Sequence, residues 1–183
     1  MKRLEKTAVL IALADELSVR GSWCGETHMQ KAVYFLQELT SVPLGFDFIL
    51  YKHGPFSFDL RDELTAMRAD GLLELQVTPG PYGPSLSSTK YGEAISGRFA
   101  DVVRNYRAKI NYVAQQLGDK GVADLERLAT ALFICKEDSA NQLGVHGCAV
   151  KITEIKPHIN SEAAERAAED VLEMFNNIGE LSA

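Results

Sequence analysis

Cysteine is scarce in this chain. Cys24, Cys135 and Cys148 are the only three in 183 residues, an odd number with no C-x-x-C. A disulfide scaffold is therefore excluded, and so are the common zinc spacings. A metal set would have to assemble from Cys24, His28, His146 and Cys148, and the His146-Gly147-Cys148 step is too short for the usual pattern, so no metal is expected. Long hydrophobic runs are also missing. Nothing approaches the roughly 18 apolar residues of a membrane span, so no membrane partner is expected. The opening MKRLEKTAVLIALADEL begins charged and turns apolar, as a secretory leader does. Glu5, Asp15 and Glu16 interrupt it and no A-x-A site follows, so it reads as a helix of a cytoplasmic protein. There is no G-x-S-x-G, no Walker loop, no G-x-G-x-x-G and no paired-carboxylate pattern. An enzyme is not expected, and neither is a cofactor.

Basic charge is in deficit: 19 Lys and Arg stand against 25 Asp and Glu, a net charge of −6. The deficit is local. Residues 1–110 hold 13 basic and 13 acidic side chains, while residues 111–183 hold 6 and 12. Hydrophobic residues make up 46 %, an ordinary globular share that excludes disorder.

What is present is mostly helical periodicity. A helix is expected over about 2–19, stopped by Gly21. A second begins at Thr27-His28-Met29-Gln30, which has the spacing of a capping box with Thr27 as N-cap. Phe46–Tyr51 alternates like a strand. The turn Lys52-His53-Gly54-Pro55 leads to a helix over about 57–69, with Ser57 as N-cap and leucines at 60 and 64. Segments 72–77 and 84–88 form a hairpin around the TPGPYG turn. Thr89 caps a helix over 90–117 whose apolar stripe includes Ile95, Phe99, Val103, Ile110 and Leu117. The second half of that stripe is expected to pack on the helix around 125–136 or on a partner subunit. Asp138–Gly147 reads as a polar loop, Ala149–Ile155 as either a short helix or a strand, and a last helix is capped by Ser161. The fold class is mainly α with a small β-hairpin. A winged helix-turn-helix-like core at 1–117 is followed by a C-terminal helical extension, 118–183, packed on it, or the two form one compact domain. The connection 40–56 is longer than the usual turn between the two central helices of such a core.

Three stretches carry a family resemblance: Met29-Gln30-Lys31-Ala32-Val33-Tyr34-Phe35, then Tyr51-Lys52-His53-Gly54-Pro55-Phe56-Ser57, then the helix ending in Asp70-Gly71-Leu72-Leu73. Together they resemble YwgA-type proteins and, more distantly, Panacea-domain (SocA-like) proteins. Both groups show a KLQKLxYF helix and a Y-G-P-F/Y-S turn; here Met29 replaces a leucine and His53 precedes Gly54. Leu128-Ala129-Thr130 and Lys156-Pro157 are similar to further YwgA landmarks. The resemblance implies a mostly helical prokaryotic protein with a winged-helix-like core. Through the Panacea relatives it implies an antitoxin or adaptor whose partner is a toxin or a protease complex. It brings no catalytic residues.

The candidate partner-binding residues are Gln30, Lys31, Tyr34, Tyr51, Lys52, His53, Phe56 and Arg61. Aromatic and cationic side chains concentrated around a Gly-Pro turn suit a binding hot spot, or else simply set the entry to the next helix. The alternative function is a DNA-binding transcriptional regulator, in which 57–69 would be the recognition helix. That segment sets Asp59, Asp62, Glu63 and Asp70 against Arg61 and Arg68, and the hairpin after it offers no phosphate clamp. The most basic stretch, 90–109, has its charges beside the apolar stripe. That is the pattern of side chains flanking a buried seam, through which a homodimer is also conceivable.

Overall fold

The computed structural model describes residues 1–77, 83–137 and 143–181, with Glu180 and Leu181 described through their backbone alone. Along the chain the elements are α1 (Arg3–Val19), α2 (Glu26–Glu38), β1 (Ile49–Tyr51), β2 (Gly54–Phe56), α3 (Phe58–Ala69), β3 (Leu73–Gln76), β4 (Ser85–Ser88), α4 (Lys90–Arg98), α5 (Ala100–Leu117), α6 (Val122–Glu137), α7 (Gly144–Ile155) and α8 (Ser161–Leu181). They fall into two compact units, one of residues 1–48 and 57–120, the other of 49–56 and 121–183. The short hairpin β1–β2 thus interrupts the first unit in sequence and belongs with the C-terminal helices. Among the described residues, no helix is long and apolar enough to cross a membrane.

In the first unit α1 is the central rod. Residues 7–14 are buried without a break, so no solvent face survives in the middle of the helix. It packs on α2, α4, α5 and β4. The core is filled by Leu10, Ile11, Leu13, Met29, Phe35, Leu60, Met67, Ile110 and Leu117. Burying each such side chain is worth about 1.5–3 kcal/mol, which outweighs the modest helix propensity of α1's β-branched residues. At the start of α2 the expected capping box does not form. The N-cap is Gly25, and the Gln30 amide is engaged elsewhere. Its Oε1 accepts from Ser57 N at 2.9 Å, while its Nε2 donates to Ser57 O at 2.9 Å. One side-chain amide thus pairs with one backbone residue as a neighbouring strand would. Ser57 does cap α3, its Oγ accepting from Leu60 N at 3.2 Å.

β3 and β4 pair antiparallel, from Leu73 opposite Ser88 to Gln76 opposite Ser85. The segment before α2 joins them. Gly25 bridges Ser85, and Leu86 N donates to Cys24 O at 2.9 Å. The expected turn between the strands lies largely at 78–82, outside the described residues. Thr89 caps α4 as anticipated, accepting from Gly92 N at 3.2 Å. The single helix expected over 90–117 is broken. Phe99 leaves helical geometry at φ −108° and ψ 31°, two residues after the Ser96-Gly97 pair. Gly lowers helix propensity by about 1 kcal/mol, and Gly/Ser pairs are common kink sites. The break tilts the stripe. Val103, Ile110, Val113 and Leu117 are buried, while Ile95 and Phe99 are half-buried. Within its own unit, α5 packs on α1 and α2. Gly92 is required for a different reason: a Cβ there would stand 2.3 Å from Leu72 O.

In the second unit α6, α7 and α8 pack on one another and β2 packs on α6. Leu128, Leu132, Ala149, Ile152, Ala164 and Val171 are buried at their contacts. Ala149–Ile155 is helical. Part of the expected polar loop, Gly144–Gly147, belongs to the same helix, and 138–142 lie outside the described residues. The cap of α8 is Asn160 rather than Ser161, since Asn160 Oδ1 accepts from Ala163 N at 2.8 Å. The strand expected over 46–51 shrinks to Ile49–Tyr51 because its partner β2 is only three residues long.

Candidate functional site

The hairpin β1–β2 is built by a local rule. Tyr51 pairs with Gly54, leaving Lys52 and His53 at the tip. Gly54 takes φ +83°, while Lys52 and His53 are not among the positive-φ residues. A type I turn closed by a left-handed glycine has this pattern, and it selects glycine at position 54. The rings of Tyr51 and Phe56 sit 5.9 Å apart across the two strands. Tyr51, Lys52 and His53 are exposed and Phe56 is half-buried.

A buried cation grips this tip from 105 residues away. Lys156 ends α7, and its side chain is only 8 % exposed. Its Nζ donates to Tyr51 O at 2.8 Å and to Lys52 O. The same Nζ lies 3.5 Å from Oε1 of Glu126, a carboxylate on α6 whose side chain is 11 % exposed. Two imidazoles complete the cluster. His53 Nδ1 is 3.5 Å from Glu126 Oε2, and His158 Nε2 is 3.3 Å from Oε1. These are ion-pair distances, yet Glu126 Oε1 receives no well-directed hydrogen bond from either neighbour. Both His53 and His158 are more than half exposed. The result is a fixed hairpin tip whose outer surface presents a phenol, an ammonium and two imidazoles over a buried ion pair. Among the described residues no three His, Cys, Asp or Glu side chains are arranged to hold a metal.

Of the residues the sequence singled out, Tyr51, Lys52, His53 and Phe56 come together in this one hairpin. The others lie in the first unit. Gln30, Lys31 and Tyr34 are buried on α2: Gln30 clasps Ser57, and the Tyr34 ring stands 4.9 Å from that of Phe48. Arg61 is on the outer face of α3, 2.9 Å from Asp62 Oδ1, with its guanidinium 5.1 Å over the Phe58 ring. Glu126 and His158 were not singled out. Glu126 lies in Ala123-Asp124-Leu125-Glu126-Arg127, which reads as a solvated turn of helix. Its one usable signal is that it shares a face with Ala129 and Thr130, which are buried.

Cys24 and His28, half of the conceivable metal set, have structural roles in the first unit. Burial pushes the Cys24 thiol up to about 11. Burial also lowers the affinity of His28 for a proton, and its Nδ1 lies 2.8 Å from Ser22 Oγ. No protein-family model matches this chain, and no curated protein matches it in sequence.

Proposed function

We propose that this chain is a non-enzymatic, cytoplasmic regulatory protein that acts by binding another protein, in the manner of an antitoxin or adaptor. The observation that carries the reading is the hairpin tip. Tyr51, Lys52 and His53 are exposed, and Lys156 and Glu126 beneath them fix the backbone that presents them. Preorganised aromatic and cationic side chains lose little entropy on binding. The resemblance to Panacea-domain proteins supports a toxin or a protease complex as the partner class. Co-purification with the product of the adjacent gene tests the reading. A complex retained by the wild type and lost with Tyr51→Ala or His53→Ala, with the helical circular dichroism unchanged, is the expected result. No complex under several conditions would count against it.

DNA binding is the second reading. Its support is a winged-helix-like order in the first unit: α1, a bridged segment at Gly25, α2, α3, then the β3–β4 wing. Charge weighs against it. Asp59 and Asp62 are on the exposed face of α3, Arg61 is paired with Asp62, and β3–β4 carries Glu74 and no cation. In the basic stretch Lys109 is engaged with Thr40 O at 2.7 Å and Arg104 with Asp101. Titration of genomic DNA fragments at low and high salt decides, because phosphate contacts must weaken steeply with salt. A homodimer through 90–117 has less support, since the buried part of that stripe faces α1 and α2.

A further inference from the structure

The second unit contains a thiol pair that the proposed binding surface does not use. Cys135 is in the last turn of α6, two residues before its end at Glu137, and Cys148 is in the second turn of α7. The two helices pack on each other, and both cysteines are buried. Their Sγ atoms are 2.9 Å apart. Carbon atoms in nonbonded contact rest roughly 3.5–4.0 Å apart, and sulfur is larger than carbon, so the two sulfurs already meet and need only a small further approach to reach bonding distance. Cys24 is a contrast within the same molecule. It is in the first unit, and its Sγ contacts Ala14 O at 3.7 Å.

We propose that Cys135 and Cys148 are a reversible disulfide site that locks α6 to α7, with a low-molecular-weight disulfide as the oxidant. One protein thiol, as its thiolate, attacks a sulfur of the small disulfide. The S–S bond of the reagent breaks, one small thiolate leaves and takes up the proton, and a mixed disulfide forms. The second protein thiolate then attacks the protein sulfur of that mixed disulfide. The Cys135–Cys148 bond forms, and the second small thiol leaves with the second proton. Two S–H bonds and one S–S bond are consumed, and the same number of each is produced. The protein is oxidised by two electrons and the reagent reduced by two. The second step is intramolecular between groups already in contact, so it outruns release of the mixed disulfide. Entry of the reagent needs local opening. The position of Cys135 at a helix end favours this, because helix ends open at lower cost than helix centres. In a reducing cytoplasm such a bond is transient, as expected of a redox-sensing pair rather than a structural one.

The test treats the folded full-length protein with oxidised glutathione, for long enough to oxidise an exposed control dithiol completely. It then alkylates the remaining thiols under denaturing conditions and records intact and peptide masses. The expected product has lost two hydrogen atoms and keeps one alkylatable thiol. Its peptides containing positions 135 and 148 are linked, and dithiothreitol restores all three thiols. Cys135→Ala and Cys148→Ala each abolish the link, while Cys24→Ala leaves it intact. Three alkylatable thiols after treatment would overturn the proposal. So would a link through Cys24, or a stable glutathione adduct without the internal bond.

Discussion

Replacing Lys156 with methionine isolates the contact that fixes the hairpin tip. The substitution keeps most of the side-chain volume and removes the charge. Lost with the ammonium are its bonds to Tyr51 O and Lys52 O and the ion pair with Glu126 at 3.5 Å. Tyr51 and Lys52 are exposed residues, so water can replace much of what their carbonyls lose. Glu126 cannot recover in the same way, because its side chain is 11 % exposed and its nearest remaining polar neighbours would be two imidazoles that are more than half exposed. Removing one member of a buried pair costs about 3–5 kcal/mol. The two histidines and the water at the tip place the expected cost at the lower end, about 3 kcal/mol. For a chain of this length that corresponds to a fall in Tm of about 6–12 °C. Glu126→Leu alone should cost a similar amount by stranding the ammonium. The double variant Glu126→Leu with Lys156→Met strands neither charge and should lie within about 1–2 kcal/mol of wild type. Urea unfolding followed by circular dichroism gives all four free energies of the cycle. Single variants that each cost under about 1 kcal/mol, or a double variant whose loss equals the sum of the singles, would refute the reasoning.

Other expectations follow from the first unit. Gln30→Leu should destabilise by about 1–3 kcal/mol in urea melts, since it strands the buried N–H of Ser57, while Ser57 O keeps its bond from Arg61 N at 3.2 Å. Gly92→Ala should cost at least about 2 kcal/mol by the same measurement, because the new methyl would meet a backbone carbonyl 2.3 Å away. Cys24 makes stability fall at alkaline pH. Its folded thiol ionises at about 11 against 9.0 for an ordinary thiol, so between those values the unfolded state has already released a proton that the folded state keeps. The contribution is whole below pH 9 and lost as pH rises towards 11. Cys24→Ala should therefore flatten the alkaline limb of the stability–pH curve, and an unchanged limb would contradict that assignment.

Local signals in the sequence translated well into local structure. Ser57 and Thr89 cap their helices because an N-cap is decided within three residues. The same rule misplaced the start of α2. Thr27 and Gln30 have the right spacing for a box, but Ser57, 27 residues further on, offers Gln30 two buried hydrogen bonds instead of one at a surface helix end. The kink at Phe99 was readable in Ser96-Gly97, yet the apolar stripe runs through it and periodicity alone does not register a change of axis. The hairpin residues 51–56 stood out by composition. What holds them did not, because Lys156 and Glu126 are 104 and 74 positions from Lys52, and the one local sign of burial is the helix face that Glu126 shares with Ala129 and Thr130. Lys156-Pro157 stood out only through a family likeness, which says nothing of where the ammonium points.

The most direct test of the central claim is affinity co-purification of the folded protein with the product of the adjacent gene, comparing wild type with Tyr51→Ala and His53→Ala. A binding function centred on the hairpin tip predicts a stoichiometric complex with the wild type and at least about a tenfold loss of affinity in each variant, the size expected of a hot-spot residue. A complex that both variants retain at full affinity would place the partner elsewhere on the chain and contradict the claim.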